Sequence, residues 1–122
     1  EKPMAKQGFN KASRLLGPSQ YSMVFKKTDF KLSTTAILIL VSKSILPPRL
    51  GVVIAKKNVK SAVQRNRLKR LVRETFRLRQ EEFGTIDMVF LARQGLNKMN
   101  NQEVLIQISK LFDELINKLD RI

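Results

Sequence analysis

The run from Lys56 to Gln80, KKNVKSAVQRNRLKRLVRETFRLRQ, constrains this chain most, because it joins an apolar stripe to a nearly acid-free array of cations. At about 100° per residue, Leu68, Leu71, Val72, Thr75 and Phe76 gather on one side, and Asn66, Arg70, Arg73 and Arg77 on the other. A helix from about Lys60 to Glu82 would therefore bury one face in a core and offer the other to anions. Ten of the chain's 24 Lys and Arg residues fall in this run, opposed by the single acid Glu74. Solvated helix faces usually interleave both signs to gain i,i+4 pairs, so the missing acids argue for an anionic partner. Arg67 and Lys69 flank the polar face, and the ridge would extend roughly 30 Å at a rise of 1.5 Å per residue. That length suits a polyphosphate backbone better than one phosphate. A membrane-surface or calmodulin-target helix shares the basic amphipathic pattern, but fits poorly between two predicted strands.

The apolar segments around this helix divide by period and by breakers. Gly17-Pro18-Ser19 starts a short helix over about Ser19 to Lys27, with Tyr21, Val24 and Phe25 at i, i+3, i+4. Ala36 to Val41 and Leu50 to Ala55 are β-branched runs separated by Pro47-Pro48, and they predict a hairpin of buried strands. Phe30 to Ser33 suits a short extra strand. After the stop signal Phe83-Gly84-Thr85, Ile86 to Ala92 is another strand. In the last segment Val104, Ile108, Leu111, Phe112, Leu115 and Leu119 keep helical spacing behind a cap at Asn100 or Asn101. The order α-β-β-(β)-α-β-α predicts a single-domain α+β sandwich, with helices on a mixed sheet of about four strands. The strands on either side of the basic helix could pair in parallel through a crossover, right-handed by the general rule. Residues 1–14 are polar and basic with little periodicity, and predict a flexible arm before a domain spanning 15–122.

Composition narrows the chemistry. A chain of 122 residues, 43% hydrophobic, builds one domain with a modest core. A formal charge of +14 exceeds what solubility needs and points to a polyanionic partner. There is no cysteine and no histidine, which removes disulfides, thiolate nucleophiles, histidine general bases and the usual zinc ligands. The acids are scattered: Asp87 at a strand start, Glu81 and Glu82 closing the central helix, Asp113, Glu114 and Asp120 along the last one. Metal-assisted phosphodiester cleavage needs convergent carboxylates, so no catalytic residues and no protein-bound metal are expected. No apolar run reaches the roughly 18 residues of a membrane span and no secretory core is visible, so a cytoplasmic protein without a membrane partner is expected.

The central run, preceded by RLGVVIA and followed by IDMVFLARQG, resembles the protein subunit of bacterial ribonuclease P. Arg65-Asn66-Arg67, followed by Leu68-Lys69-Arg70, stands where that family has its RNR motif, and LLGPSQYSMVFKK adds a weaker match. Many relatives have a glycine near Val59 and near Thr28, and one residue fewer before the RNR triplet. The resemblance implies a fold like the second domain of ribosomal protein S5, with a left-handed crossover around the basic helix. It also implies a role in removing the 5′ leader of precursor tRNA. The chemistry would lie with a catalytic RNA using Mg2+, while the polypeptide binds no cofactor of its own and assembles as one protein with one RNA.

The same resemblance implies that Lys56, Lys57, Arg65, Asn66, Arg67, Lys69, Arg70 and Arg73 contact the RNA subunit. Arginine forks suit phosphate oxygens, and asparagine can bond base or sugar edges. Arg65 plots nearer the apolar side, so bracing of the fold stays open for it. Tyr21, Phe25 and Lys26 match the family's leader cleft, where aromatic rings beside positive charge stack single-stranded bases. An i,i+4 aromatic pair on a short helix is equally consistent with plain core. The sheet residues facing that cleft stay open. Two other readings predict nucleic-acid binding as well: a structural ribosomal or RNA-assembly protein, and a DNA-binding module reading bases through Asn66, Arg70, Arg73 and Arg77. No dimerisation element or paired helix-turn-helix supports the second.

Overall fold

The computed structural model describes residues 13–120. In chain order these form α1 (Gly17–Lys26), β1 (Phe30–Ser33), β2 (Ile37–Lys43), β3 (Arg49–Val53), α2 (Ala62–Arg79), β4 (Ile86–Ala92) and α3 (Asn101–Asp120). Short 3-10 turns at Gln80–Glu82 and Leu96–Lys98 close α2 and follow β4. Of the arm expected over residues 1–14, residues 1–12 lie outside the described part.

The strands form one mixed sheet in the order β1-β2-β4-β3. β4 pairs antiparallel with β2, from Ile37↔Ala92 to Lys43↔Ile86, and parallel with β3, from Arg49↔Asp87 to Val53↔Leu91. The expected parallel pairing across the basic helix is therefore present. The hairpin expected between the two β-branched runs is not: β4 lies between them, and the hairpin joins β1 to β2. Two features account for this. Ile86–Ala92 is apolar along nearly its whole length, so both of its faces need covering and it takes a central position. Pro47-Pro48 lacks two backbone N–H donors where a hairpin from β2 into β3 would need them. Thr34 instead closes the β1–β2 turn, its Oγ1 accepting from the N–H groups of Ala36 and Ile37 at 3.2 and 3.1 Å.

Alternation along the strands sends side chains to two unequal layers. Ile37, Ile39 and Val41 of β2, Leu50 of β3, and Ile86, Met88 and Phe90 of β4 join Leu68, Val72 and Phe76 of α2 and Val104, Ile108, Phe112 and Leu115 of α3 in the main core. Phe83 stacks on Phe76 at 5.5 Å between ring centroids and meets Phe112 edge-on at 5.1 Å. On the opposite face, Leu40 and Val89 pack with Leu15 and Val24, and α1 is the only helix contributing to this smaller layer among the described residues.

Both long helices start at a side-chain cap. Ser61 Oγ accepts from Gln64 N at 3.3 Å, so α2 begins at Ala62, and Lys56 and Lys57 sit in the loop before it. Asn58 holds that loop by donating from Nδ2 to Ala92 O at 2.9 Å. At α3, Asn100 Oδ1 accepts from Glu103 N at 2.8 Å while Glu103 Oε1 accepts from Asn100 N at 2.9 Å, a reciprocal capping box.

Candidate nucleic-acid interface

Packing Leu68, Val72 and Phe76 against the sheet fixes the rotation of α2 and turns its cations outward. Together with those of the loop before α2, and leaving Arg73 aside, these cations fall into three groups. At the C-terminal end, Arg77 pairs with Glu74, and Arg79 bridges Glu82 and, at 2.8 Å, Asp113 of α3. The Glu74 carboxyl is held below its ordinary range by the Arg77 hydrogen bond, and Arg79 is raised first by its bond to Glu82. This end of the ridge is neutralised locally.

The second group braces the fold. Arg65 Nη1 donates to Val59 O at 3.0 Å and Lys60 O at 2.9 Å, clamping the loop that leads into α2. Arg67 donates from Nε to Gln64 Oε1 at 2.7 Å, and its Nη atoms reach Asn101 Oδ1 and Met99 O, tying α2 to the start of α3. Both arginines of the RNR triplet thus make intramolecular bonds, while Asn66 between them is exposed.

The third group is the open one. Lys56, Lys57, Lys60 and Arg70 are exposed and Lys69 is half-buried. None of the five takes part in the ion pairs found among the described residues. With Asn66 they form an acid-free surface over the loop and the N-terminal half of α2.

Arg73 belongs to a different neighbourhood. Its guanidinium sits below the ordinary arginine range, first because it is partly desolvated and then because of the charge of Arg14, with Tyr21 acting the other way. Arg14 forms a parallel bridge to Leu50 on the outer edge of β3, and Leu15 N donates to Leu50 O at 3.0 Å. The chain thereby crosses the sheet edge between the α2 face and the α1 face. Tyr21 lies over β3, where Gly51 makes room for it: a Cβ built on Gly51 would stand 2.5 Å from Tyr21 Cε2. Beside the ring, Leu38, Val53 and Leu91 are only half-buried, forming a shallow aliphatic floor that α1 does not fully cover.

Tyr21 and Phe25 therefore differ. Tyr21 packs on the sheet layer, whereas Phe25 is 47% exposed and lies outside both cores. Lys26, next to it, is exposed. Beyond α1, Arg49 and Asp87 form a bidentate pair at 2.9 and 2.8 Å on the same sheet face, and the Asp87 bond raises the Arg49 guanidinium above its ordinary range. Asp87 is thus committed to structure. No three acidic side chains gather as a metal-binding group among the described residues.

Arg14, Gly51 and the Leu38, Val53, Leu91 floor had no place in the expected site. Gly51 was findable, since a lone glycine inside an apolar strand marks a close approach. A single arginine ahead of Leu15 carries no such signal, and the floor follows only from the β2-β4-β3 order.

The family model described as Ribonuclease P matches residues 9–116. A Pseudomonas paraeruginosa protein named ribonuclease P protein component is 44% identical over 119 residues, which cover 97% of this chain and 88% of that protein. Among solved structures, the ribonuclease P protein of Thermotoga maritima aligns with a TM-score of 0.67 at 29% identity, covering 89% of this chain and 96% of that one. The Staphylococcus aureus ribonuclease P protein aligns with a TM-score of 0.73 at 22% identity, covering 84% and 94%, a likeness of fold. With the family model spanning nearly every described residue and a relative 44% identical over almost the whole chain, the chain belongs to the ribonuclease P protein family.

Proposed function

We propose that this chain is the RNA-binding protein component of a ribonuclease P. In this reading it docks the catalytic RNA through the N-terminal half of α2 and the loop before it, and holds the 5′ leader of precursor tRNA on the α1 face of the sheet. The observation that carries the reading is the meeting of the two surfaces at the β3 edge, where Arg14 bridges to Leu50 and Tyr21 lies over Gly51, beside the basic helix. One RNA bound along α2 and a single strand laid over Tyr21 would then be neighbours, as a leader entering a cleavage site must be.

Lys56, Lys57, Asn66, Lys69 and Arg70 take the RNA-subunit role directly, as cations and an amide open to solvent. Arg65 and Arg67 serve it by holding the loop and the start of α3 in place. On the leader side, Tyr21 offers a ring lying over Gly51, Phe25 an exposed ring one turn later, and Lys26 and Arg73 positive charge. Stacking of a base on such a ring contributes about 1–3 kcal/mol and tolerates any sequence. In this reading phosphodiester hydrolysis belongs to the RNA, and no step of it is assigned to the polypeptide. Mg2+ would serve the RNA, and the protein's positive charge would offset phosphate repulsion in the complex.

Tyr21→Ala and Phe25→Ala proteins, assembled with a ribonuclease P RNA, test the leader assignment. Each should bind leader-bearing precursor tRNA more weakly, with mature tRNA binding and RNA-subunit assembly retained. Equal losses on both tRNAs would return the rings to a purely structural role.

A further inference from the structure

Three ladder rows cross β2, β4 and β3 on the sheet face that carries α1. The first is Leu38, Leu91 and Val53, the aliphatic floor beside Tyr21. The second, Leu40, Val89 and Gly51, lies under Val24 and Tyr21. The third, Ser42, Asp87 and Arg49, stands roughly 13 Å from the first at about 3.3 Å per residue, and it floors a separate concavity of about 670 Å3. The helix divides the two. Gln20 and Met23 of α1, with Lys27 just after it, line the concavity, while Phe25, two residues from Met23, points to the opposite side of the helix.

The rim is aliphatic and held in place. Ile45 is 94% exposed, Met23 62% and Leu46 45%, and all three border this one hollow. Slack in the loop does not account for them. Ser44 N donates to Thr85 O at 3.0 Å, Ser44 Oγ accepts from Leu46 N at 3.0 Å, and Pro47-Pro48 stiffens the residues that follow. Large aliphatic groups exposed together around a concavity mark a contact surface.

Inside, the acids are committed and donors are left over. Asp87 accepts from Arg49 Nε and Nη2, and Asp29 Oδ2 accepts from Lys43 N at 2.8 Å. Gln20 Oε1 accepts from Leu16 N, which leaves Gln20 Nε2, Arg49 Nη1 and the Lys27 ammonium without a protein acceptor among the described residues. A ligand that brings acceptors and aliphatic side chains together is an acidic polypeptide segment. RNA brings acceptors too, but no ring lines this wall for a base to stack on, and two carboxylates stand in it, whereas the surface over α2 is free of acids. A second copy would bring another +14 charges, and its Glu74, Glu82, Glu103 and Asp113 are already engaged internally.

We propose that this concavity docks an acidic, aliphatic segment of a partner protein, with its apolar side chains between Met23, Ile45 and Leu46 and its carboxylates on Lys27 and Arg49. The hollow lies on the sheet face opposite α2, so it stays open while α2 faces an RNA, and the partner would join the assembled complex.

A short fluorescent peptide alternating leucine and aspartate is the probe, with a serine-for-leucine peptide of equal charge as the control. On the whole chain the first should bind and shift the backbone amide resonances of Met23, Lys27, Ser44 and Ile45. The control, drawn by charge alone, should leave them in place. An Ile45→Ser/Leu46→Ser protein, which changes only exposed side chains, should bind the leucine peptide about tenfold more weakly, as loss of a central anchor does. Met23→Ala repeats the test from the helix side. Both variants should assemble with a ribonuclease P RNA and prefer precursor over mature tRNA as the parent does. Equal binding of the two peptides, or undiminished binding by both variants, would overturn the proposal. So would a lost precursor preference or the same resonance shifts with a uridine oligomer, either of which would give the hollow to RNA. Self-association that the double substitution abolishes would give it to a second copy and overturn the proposal as well.

Discussion

At the residue scale, the contact between Gly51 and Tyr21 decides whether the proposed leader cleft keeps its shape. A methyl group at position 51 would sit 2.5 Å from the ring, so Gly51→Ala must push Tyr21 aside. Overpacking of this kind costs about 1–3 kcal/mol where nothing yields, and the lower end is expected here because the outer part of the ring can swing. Gly51→Ala should therefore reproduce the Tyr21→Ala loss of precursor tRNA binding, as measured by titration of the assembled complex, with little change in RNA-subunit affinity. The Arg49–Asp87 pair gives a contrasting case. Its side chains are 18% and 13% exposed, and Arg49→Ala would leave a buried carboxylate without its partner. A loss on the order of 3–5 kcal/mol by urea denaturation is expected. Neither residue's role was legible in the sequence, since both depend on a strand neighbour: Asp87 faces Arg49 only because β3 and β4 pair in this register.

At the scale of the element, α2 divides a set of cations that looks uniform in sequence. Helical periodicity correctly turned Leu68, Val72 and Phe76 inward, and it also placed Arg65 near the apolar side, where it now clamps the preceding loop. It could not separate Arg67 from Arg70, because Arg67 finds Gln64, Met99 and Asn101 only once α3 has docked beside α2. Arg67→Ala should cost about 1–3 kcal/mol of stability through the loss of charged hydrogen bonds. Arg70→Ala should stay within about 0.5 kcal/mol of the parent, as exposed substitutions do. Both should weaken RNA-subunit binding, so thermal melts alongside binding titrations will separate the bracing residue from the contacting one. The basic ridge is also shorter in effect than its length suggests, because Glu74, Glu82 and Asp113 occupy Arg77 and Arg79.

At the scale of the whole molecule, the element order and both long helices were legible because each helix has a strong period and the last one a readable cap at Asn100. Sheet order was not, because an apolar run states that a strand is buried without naming its neighbours. The misplaced hairpin followed from that gap. The positive charge has a global consequence: if roughly six phosphates are contacted, affinity for the RNA subunit should fall with a log–log salt slope of about −4 to −5. The central claim is that this chain assists an RNA in cutting precursor tRNA and does not cut it alone. Cleavage of precursor tRNA by the protein, by a ribonuclease P RNA, and by the two together across a range of Mg2+ concentrations tests it most directly. The account predicts no cleavage by RNA-free protein at any Mg2+, and cleavage at low Mg2+ only when both are present. Cleavage by rigorously RNA-free protein, or an RNA whose Mg2+ requirement the protein leaves unchanged, would contradict it.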